Sequence, residues 1–329
     1  MDPHVFAGTV QVGDMVQWYG THDVRTIGDA KPRVSKLQLF PLKSLGLESC
    51  NQATLVAAGA LEGDREWAIL DQPATEPYDP RNADVSGTGT YVNGKKTAKI
   101  HRLGSTFHRR ADGGPAVTLW ERDSPDEKQR FDLFDGRETD STTEAETQQA
   151  VHEPLNDWLS EYFGRSVSVH WDGDGHHDDR TRYGPTVIST ATLREIAEWF
   201  DWSVESARRR FRANIEIDGV PPFWEDTLVT DSGAVVPFQI GGVEILGVHP
   251  CQRCVVPSRD PDTGEETPEF RETFLKRRQE TRPEWTASDR FDHLFRVMVN
   301  THVPNESVGC SISVGNTVRV QTKHETPLC

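Results

Sequence analysis

Cysteine is scarce in this chain, with five in 329 residues at no regular spacing. A disulfide framework is therefore excluded as the basis of the fold. Long apolar runs are missing as well. No stretch approaches the roughly 18 residues of a membrane span, and no charged-then-apolar leader opens the sequence. A cytoplasmic location is expected on that ground. Positive charge is in short supply: 36 Lys and Arg against 52 Asp and Glu leave a formal net charge of −16. That balance argues against a nucleic-acid partner and against an anionic membrane surface, both of which need a basic footprint. Acidity of this degree keeps proteins solvated in a salt-rich cytoplasm. Hydrophobic residues make up only 35%, yet they cluster, and the length suits two ordinary domains.

Residues 1–32 are polar and weakly periodic and stand apart as an extension. Strand patterns follow at Val34–Phe40, Thr54–Ala58, Glu66–Leu70, Thr97–Leu103 and Ala116–Trp120. Asn93-Gly94 reads as a hairpin turn, since both residues tolerate positive φ. Residues 33–137 are thus expected to form an all-β domain. Glu138–Gln149 is polar and acidic without an apolar period, which marks 138–150 as a linker or insertion. A second domain is expected over 151–322, with a tail at 323–329. It opens with a helix carrying Leu155, Trp158, Leu159, Tyr162 and Phe163 on one face and ended by Gly164. Ser166–Trp171 reads as a strand and residues 171–179 as a loop. Ser189 and Thr190 suit the cap of a helix bearing Leu193, Ile196, Ala197 and Phe200. Strands are expected at Phe211–Ile217, Ala234–Ile240, Val243–Val248 and Thr317–Val320. The fold class is mainly β with a few helices.

The densest chemistry lies in His249-Pro250-Cys251-Gln252-Arg253-Cys254, just ahead of Asp260-Pro261-Asp262-Thr263-Gly264. A thiolate beside a fixed positive charge serves as a nucleophile or a soft-metal ligand. Pro-Cys-x-x-Cys is half of a zinc-deaminase signature, but the His-x-Glu it requires occurs nowhere. A structural zinc needs four ligands, and only Cys251, Cys254 and His249 are at hand. A thioredoxin-like dithiol caps a helix, which Pro257, Pro261 and Gly264 discourage. Two half-buried cysteines in a turn are the plain alternative. Arg253 next to Cys254 favours a thiolate that binds something.

A second signal is Arg208-Arg209-Arg210-Phe211-Arg212-Ala213-Asn214, four arginines in five residues of an acidic chain. The plain account is a basic face paired with nearby acids. If Phe211–Ile217 is a strand, Arg212 and Asn214 share a face, which suits a phosphate or carboxylate. Lys43 and Ser44, just after the first strand, are a weaker anion cradle. Asp64-Arg65-Glu66-Trp67 reads as a charged turn before a strand. Gly89-x-x-x-x-Gly94-Lys95 misses the P-loop hydroxyl, since Lys96 takes that position. Asp260 to Gly264 has the wrong glycine offset for a calcium loop and reads as a tight turn.

Taken in order, these motifs resemble one family. Leu39-Phe40-Pro41-Leu42-Lys43-Ser44, Gly63-Asp64-Arg65-Glu66-Trp67, Phe211-Arg212-Ala213-Asn214-Ile215 and Cys251-Gln252-Arg253-Cys254 with Asp260-Pro261-Asp262-Thr263-Gly264 look like MOSC proteins. The family is named after the C-terminal domain of molybdenum cofactor sulfurase. The layout is similar to the mitochondrial amidoxime-reducing component and its bacterial relatives, in which an N-terminal β-barrel domain precedes a MOSC β-barrel domain. The acidity suits a halophilic archaeal member. The family's Arg-Pro-Asn is Arg212-Ala213-Asn214 here.

The resemblance implies a molybdopterin-type molybdenum cofactor, its metal held by Cys254 and its pterin and phosphate gripped by Lys43, Ser44, Arg65, Arg212 and Asn214. It implies an oxidoreductase that reduces small N-hydroxylated or N-oxygenated substrates with electrons from a separate ferredoxin- or cytochrome-type protein. Neither a cysteine-rich ferredoxin tail nor an aminotransferase half is present, so no iron–sulfur cluster and no pyridoxal phosphate are expected. The alternative is a sulfur-carrier or cofactor-delivery module in which Cys254 bears a persulfide.

Overall fold

A computed structural model describes residues 31–57, 60–71, 91–109, 114–136, 144–176, 184–230, 234–286 and 289–321. The expectations for residues 1–30, for the acidic stretch at 138–143, for loop residues 177–179 and for the 323–329 tail lie outside them. In the first half, β1 (Arg33–Leu39), β2 (Glu48–Cys50), β3 (Gln52–Thr54) and β4 (Trp67–Asp71) precede a 3₁₀ turn at Ala98–Arg102. Then come β5 (Leu103–His108), β6 (Ala116–Glu121), β7 (Gln129–Asp132), helix α1 (Glu144–Phe163) and β8 (Val167–Trp171). The second half has β9 (Val187–Ser189), α2 (Thr190–Trp199), α3 (Val204–Phe211), β10 (Ile215–Asp218), β11 (Val236–Ile240) and β12 (Val243–Gln252). It closes with α4 (Phe270–Glu280), β13 (Arg296–His302), β14 (Ser311–Ser313) and β15 (Val318–Val320). The protein is mainly β with a few helices. No helix among the described residues is long and apolar enough to cross a membrane.

The largest sheet has the order β15-β11-β12-β13-β9-β10-β1-β2, and among the described residues it does not close on itself. Its one parallel pair, β9 with β10, is joined through α2 and α3, the crossover that parallel strands require. Strand pairing crosses the boundary expected near residue 150 in both directions. β1 pairs with β10 of the second half, while β8 pairs with β4 of the first. Three large apolar cores result, beside a small cluster of Ala68, Leu70 and Tyr91. One fills the face of the large sheet, with Leu37, Ile215, Phe238 and Val299. A second lies between α1 and the β4–β8 and β5–β6–β7 sheets, with Trp67, Leu119, Leu155 and Leu159. The third packs Phe211, Phe270, Phe274 and Phe295 under α2, α3 and α4.

Local signals explain most of these elements. Ser189 accepts a hydrogen bond from the Thr192 amide at 2.9 Å and caps α2. Gly164, at φ 69°, ends α1 with its own amide and that of Arg165 both donating to the Ser160 carbonyl. Five expectations need correction. Thr54–Ala58 is not a strand over its described residues: β3 ends at Thr54, and Leu55 adds only an isolated bridge to Leu61. Thr97–Leu103 is not a strand: Thr97 accepts from the Lys99 amide at 3.3 Å and starts the 3₁₀ turn, so β5 begins only at Leu103. Asn93-Gly94 turns without a hairpin, because the Asn93 side chain accepts from the Lys95 and Lys96 amides and leads into that turn. The polar stretch is already helical from Glu144, where Glu, Ala and Gln favour helix. Phe211–Ile217 is not one strand either: Phe211 ends α3, Arg212 takes a left-handed turn at φ 57°, and β10 starts at Ile215.

Candidate functional site

The two halves enclose a cavity of about 820 Å³. Lys43, Ser44, Arg65, Arg212, Asn214, Cys251 and Cys254 all line it, although they are spread over more than 200 residues of sequence. The first half also contributes Tyr91, Asn93 and His101, and the second half His249, Arg253, Met298 and Asn300. Among the described residues, seven arginines and two lysines line this cavity and Asp64 is the one lining carboxylate, with Arg122, Arg209, Arg210 and Arg259 paired to Asp262, Asp260 and Glu266 behind the wall. In a chain of net charge −16, that concentration of cations makes the cavity a focus of positive potential.

Backbone strain gathers at the same place. Seven non-glycine residues among those described have positive φ, and Ser44, Arg65, Arg212 and Met298 of these line the cavity. Left-handed backbone costs an L-residue roughly 1–2 kcal/mol, and such strain clusters where side chains must be aimed. Arg212 reaches the cavity because it caps α3, not because it shares a strand face with Asn214. Its Nη1 donates to the Leu45 carbonyl at 2.7 Å, and its guanidinium lies 4.1 Å from the centre of the Phe40 ring. Arg65 packs on the other contact of that ring at 5.1 Å and pairs with Asp64, whose Oδ1 accepts from the Phe40 amide at 2.8 Å. Lys43 is buried, donates to the His176 carbonyl at 3.0 Å and sits 5.0 Å from the Tyr91 ring centre. The Asn214 amide is occupied by the scaffold: Nδ2 donates to the Gln38 carbonyl, and Oδ1 accepts from the amide and hydroxyl of Thr186. Its placement on the wall therefore goes with a structural task.

The cysteines emerge where β12 loses register with β13. The pairing slips between Gly247 and His249 and again between Pro250 and Gln252, and Pro250 has no amide hydrogen to give. The guanidinium of Arg253 sits at Cys251 rather than Cys254. Its Nη1 is 3.1 Å from the Cys251 sulfur and 3.4 Å from the Met298 sulfur, and Nη2 donates to the Phe211 carbonyl at 3.2 Å. Neither thiol forms a disulfide among the described residues, and both are half-buried. Among the described residues, no group of three or more His, Cys, Asp or Glu side chains is arranged to hold a metal ion. A site for a single thiolate ligand makes no such demand.

The arginine run and the Asp260–Gly264 turn complement each other. Arg209 donates to both carboxylate oxygens of Asp262, at 2.8 and 2.6 Å, and Arg122 of the first half reaches Asp262 at 2.9 Å. Arg210 pairs with Asp260 at 3.1 Å and lies 3.9 Å from the Trp202 ring centre. Asp260 in turn accepts from the amides of Asp262 and Thr263, which makes the tight turn expected from sequence. Gly264, at φ 75°, is required where the turn meets the first half, because a Cβ would lie 2.7 Å from the Ala98 carbonyl. The Arg208 side chain is buried on Glu216, with Nε at 2.6 Å from its carboxylate.

On this wall, His101 carries no sequence signal of its own, and His249 is marked in the sequence only as a candidate zinc ligand. Burial pushes His101 down to about 4 and also lowers His249, so both rings are neutral at pH 7. Their cavity position follows from tertiary packing of the 3₁₀ turn and of the β12 bulge, which no local pattern encodes.

Two family models match the chain: the MOSC N-terminal beta barrel domain over residues 31–166, and the MOSC domain over residues 177–319. The chain is a two-domain MOSC protein. Among curated proteins it is similar to the molybdenum cofactor sulfurases of Caenorhabditis briggsae and Caenorhabditis elegans, at 35% and 33% identity over 82 residues. Those matches cover 25% of this chain and 11% of each sulfurase. Those relatives are named for the molybdenum cofactor.

The cavity of this MOSC protein fits such a group. Nε of Arg253 and Nε of Arg259 are buried on residues that line it and make no hydrogen bond, and Nε2 of His101 likewise has no partner of good geometry. Buried donors without acceptors are costly, at about 1–3 kcal/mol each, unless a ligand satisfies them. A polyanionic, acceptor-rich group with one thiolate-bound soft metal matches both the charge and the donor set.

Proposed function

We propose that the protein holds a molybdopterin-type molybdenum cofactor in this cavity, with Cys254 as the thiolate ligand of the metal, and reduces N-hydroxylated substrates in the cytoplasm. The observation that carries the reading is the Cys254 thiol on the wall of a cavity lined, among the described residues, by nine cationic side chains and one carboxylate. Lys43, Ser44, Arg65 and Arg212 would hold the pterin and its phosphate, and Asn214 would fix the wall beside them. When bound, the group supplies a two-electron redox centre that can accept oxygen from a substrate. The net reaction breaks one N–O bond, takes up two electrons and two protons, and releases an N–H group and water. A separate ferredoxin- or cytochrome-type protein supplies the electrons. The test is reduction of an amidoxime by molybdenum-loaded protein with a one-electron donor. Amidine formation is the expected result, and a fully loaded protein that forms none contradicts the reading.

A second reading draws on the sulfurase relatives. In it Cys254 carries a persulfide or passes the cofactor on, and the same cationic cavity serves transfer rather than turnover. Full loading without reduction, together with a sulfane sulfur on Cys254, would favour it.

A further inference from the structure

The cations that line the cavity differ in what holds them. Arg122 and Arg209 pair with Asp262 at 2.9 and 2.6 Å, and Arg210 pairs with Asp260 at 3.1 Å. Arg259 pairs with Glu266 at 3.0 Å. Arg253 is clasped by the Cys251 sulfur and the Phe211 carbonyl. Lys43, Arg65 and Arg212 are the cations that grip the cofactor on the function proposed above. Lys95 is left over. Among the described residues its ammonium makes no ion pair, hydrogen bond or ring contact, although the side chain is half-buried and lines the cavity. The backbone beneath it is fixed. Asn93 is buried, and its Oδ1 accepts from the Lys95 amide at 3.0 Å and the Lys96 amide at 3.2 Å. The Asn93 carbonyl accepts from the amides of Lys96 and Thr97, both at 3.1 Å. The two lysines of this turn diverge: Lys96 Nζ lies 3.7 Å from Asp71 and is not on the cavity wall, whereas Lys95 is. Gly94 lets the turn press on the cysteine segment. A Cβ there would lie 2.7 Å from His101 Nε2 and 3.5 Å from Cγ2 of Val256, two residues past Cys254. Lys95 therefore stands one residue from the point where the first half touches the segment bearing the proposed metal ligand.

We propose that Lys95 is the specificity-determining residue of this cavity, and that it recognises a carboxylate on the small molecule bound there together with the cofactor. The inference rests on the proposed function, which commits Lys43, Arg65 and Arg212 to the cofactor and leaves Lys95 for the second ligand. A half-buried ammonium without a partner gains when a ligand supplies an anion, because a charge-assisted hydrogen bond is stronger in a partly desolvated site than in water. A lone ammonium balances one negative charge. It suits a carboxylate better than a phosphate ester, which carries nearly two charges and three strong acceptors. Lysine also places its charge on a flexible stem, so it reads the charge of a ligand without demanding the fixed fork geometry of arginine.

Benzamidoxime and 4-carboxybenzamidoxime differ by one carboxylate and serve as probes of the molybdenum-loaded protein. In Lys95→Ala the ratio of kcat/KM for the carboxylated probe to that for the neutral one should fall at least fivefold, with wild-type molybdenum per chain. Lys95→Arg, which keeps the charge, should restore at least half of the ratio. An unchanged ratio in Lys95→Ala overturns the proposal. A loss of molybdenum in that variant overturns it too, because Lys95 then holds the cofactor. A second arm needs no turnover. Binding of 4-carboxybenzamidoxime to the loaded protein, measured by saturation-transfer NMR, should weaken at least fivefold in Lys95→Ala. In the wild type it should weaken further as salt rises, and in the variant that salt dependence should flatten. If the loaded wild type reduces neither probe, the proposed function fails and this binding comparison alone decides: equal affinity in the two proteins overturns the inference. Absence of molybdenum from the wild type overturns the proposed function and the inference together.

Discussion

Arg212 and the two thiols separate three roles that adjacent motifs blur. Arg212 sits in a left-handed turn at the end of α3, held by the Leu45 carbonyl and stacked on Phe40. Its charge is therefore fixed on the cavity wall before any ligand arrives, which lowers the ordering cost of binding an anion. Arg212→Ala should lower molybdenum per chain at least tenfold while leaving the unfolding midpoint within a few degrees, as metal analysis and thermal melts would show. Cys251 is the thiol in contact with Arg253, so its substitution disturbs that clasp to Phe211 and Met298 and, on the proposed function, spares the metal ligand. Cys251→Ser should retain more than half of the wild-type molybdenum. Equal losses in Cys251→Ser and Cys254→Ser would instead point to dithiol chemistry.

Among the elements, the layer beneath α1 depends on one buried imidazole. His152 accepts from the Phe134 amide at Nε2, 3.0 Å, and donates from Nδ1 to the Val169 carbonyl, 3.0 Å, so both ring nitrogens are used in the neutral form. Burial lowers its pKa to about 4. A histidine depressed in this way contributes stability that is present above the unfolded value of about 6.5 and is lost as pH falls toward 4. His152→Ala should cost about 3 kcal/mol at pH 7, from the cavity and two orphaned backbone groups. It should also flatten the fall in stability between pH 6.5 and 4, measured by urea unfolding across that range.

The same scale shows what the chain makes legible before it folds. The α1 stripe, its Gly164 stop, the Ser189 cap and the strands β1, β4 and β6 are local patterns, and the structure contains them, although β4 is buried on four consecutive residues and does not alternate. α4 carries Phe270 and Phe274 among charged residues, too narrow a stripe to stand out. β13 is buried on nearly every residue, including Arg296 and Asn300, and so lacks the alternation that marks a half-exposed strand. At the site, the motifs named every residue that the cavity gathers from the early and late signals. The geometry behind them was hidden. The strand argument for Arg212 and Asn214 fails because a left-handed cap lies between α3 and β10, and sequence neighbours gave Arg253 to the wrong cysteine.

For the whole molecule, the Asp260–Gly264 turn is a joint between the halves. Asp262 accepts from Arg209 of the second half and from Arg122 of the first, and Arg209 holds its carboxyl below the usual range. The carboxylate is 45% exposed, so screening limits the pair to about 1 kcal/mol. Asp262→Ala should destabilise by about that amount at low salt, and the difference should shrink as salt rises. Urea unfolding at two ionic strengths checks it. The large sheet adds to this coupling, since β1 of the first half is one of its inner strands. A cavity lined from both halves thus rests on a frame in which neither half closes its sheets without the other.

The central claim is that one thiol in this cationic cavity holds molybdenum. The most direct test is molybdenum per chain, by elemental analysis, in wild type and Cys254→Ala purified from a host that makes the cofactor. Molybdenum should approach one per chain in the wild type and reach at most a tenth of that in the variant. Equal molybdenum in both proteins, or none in either, would contradict it.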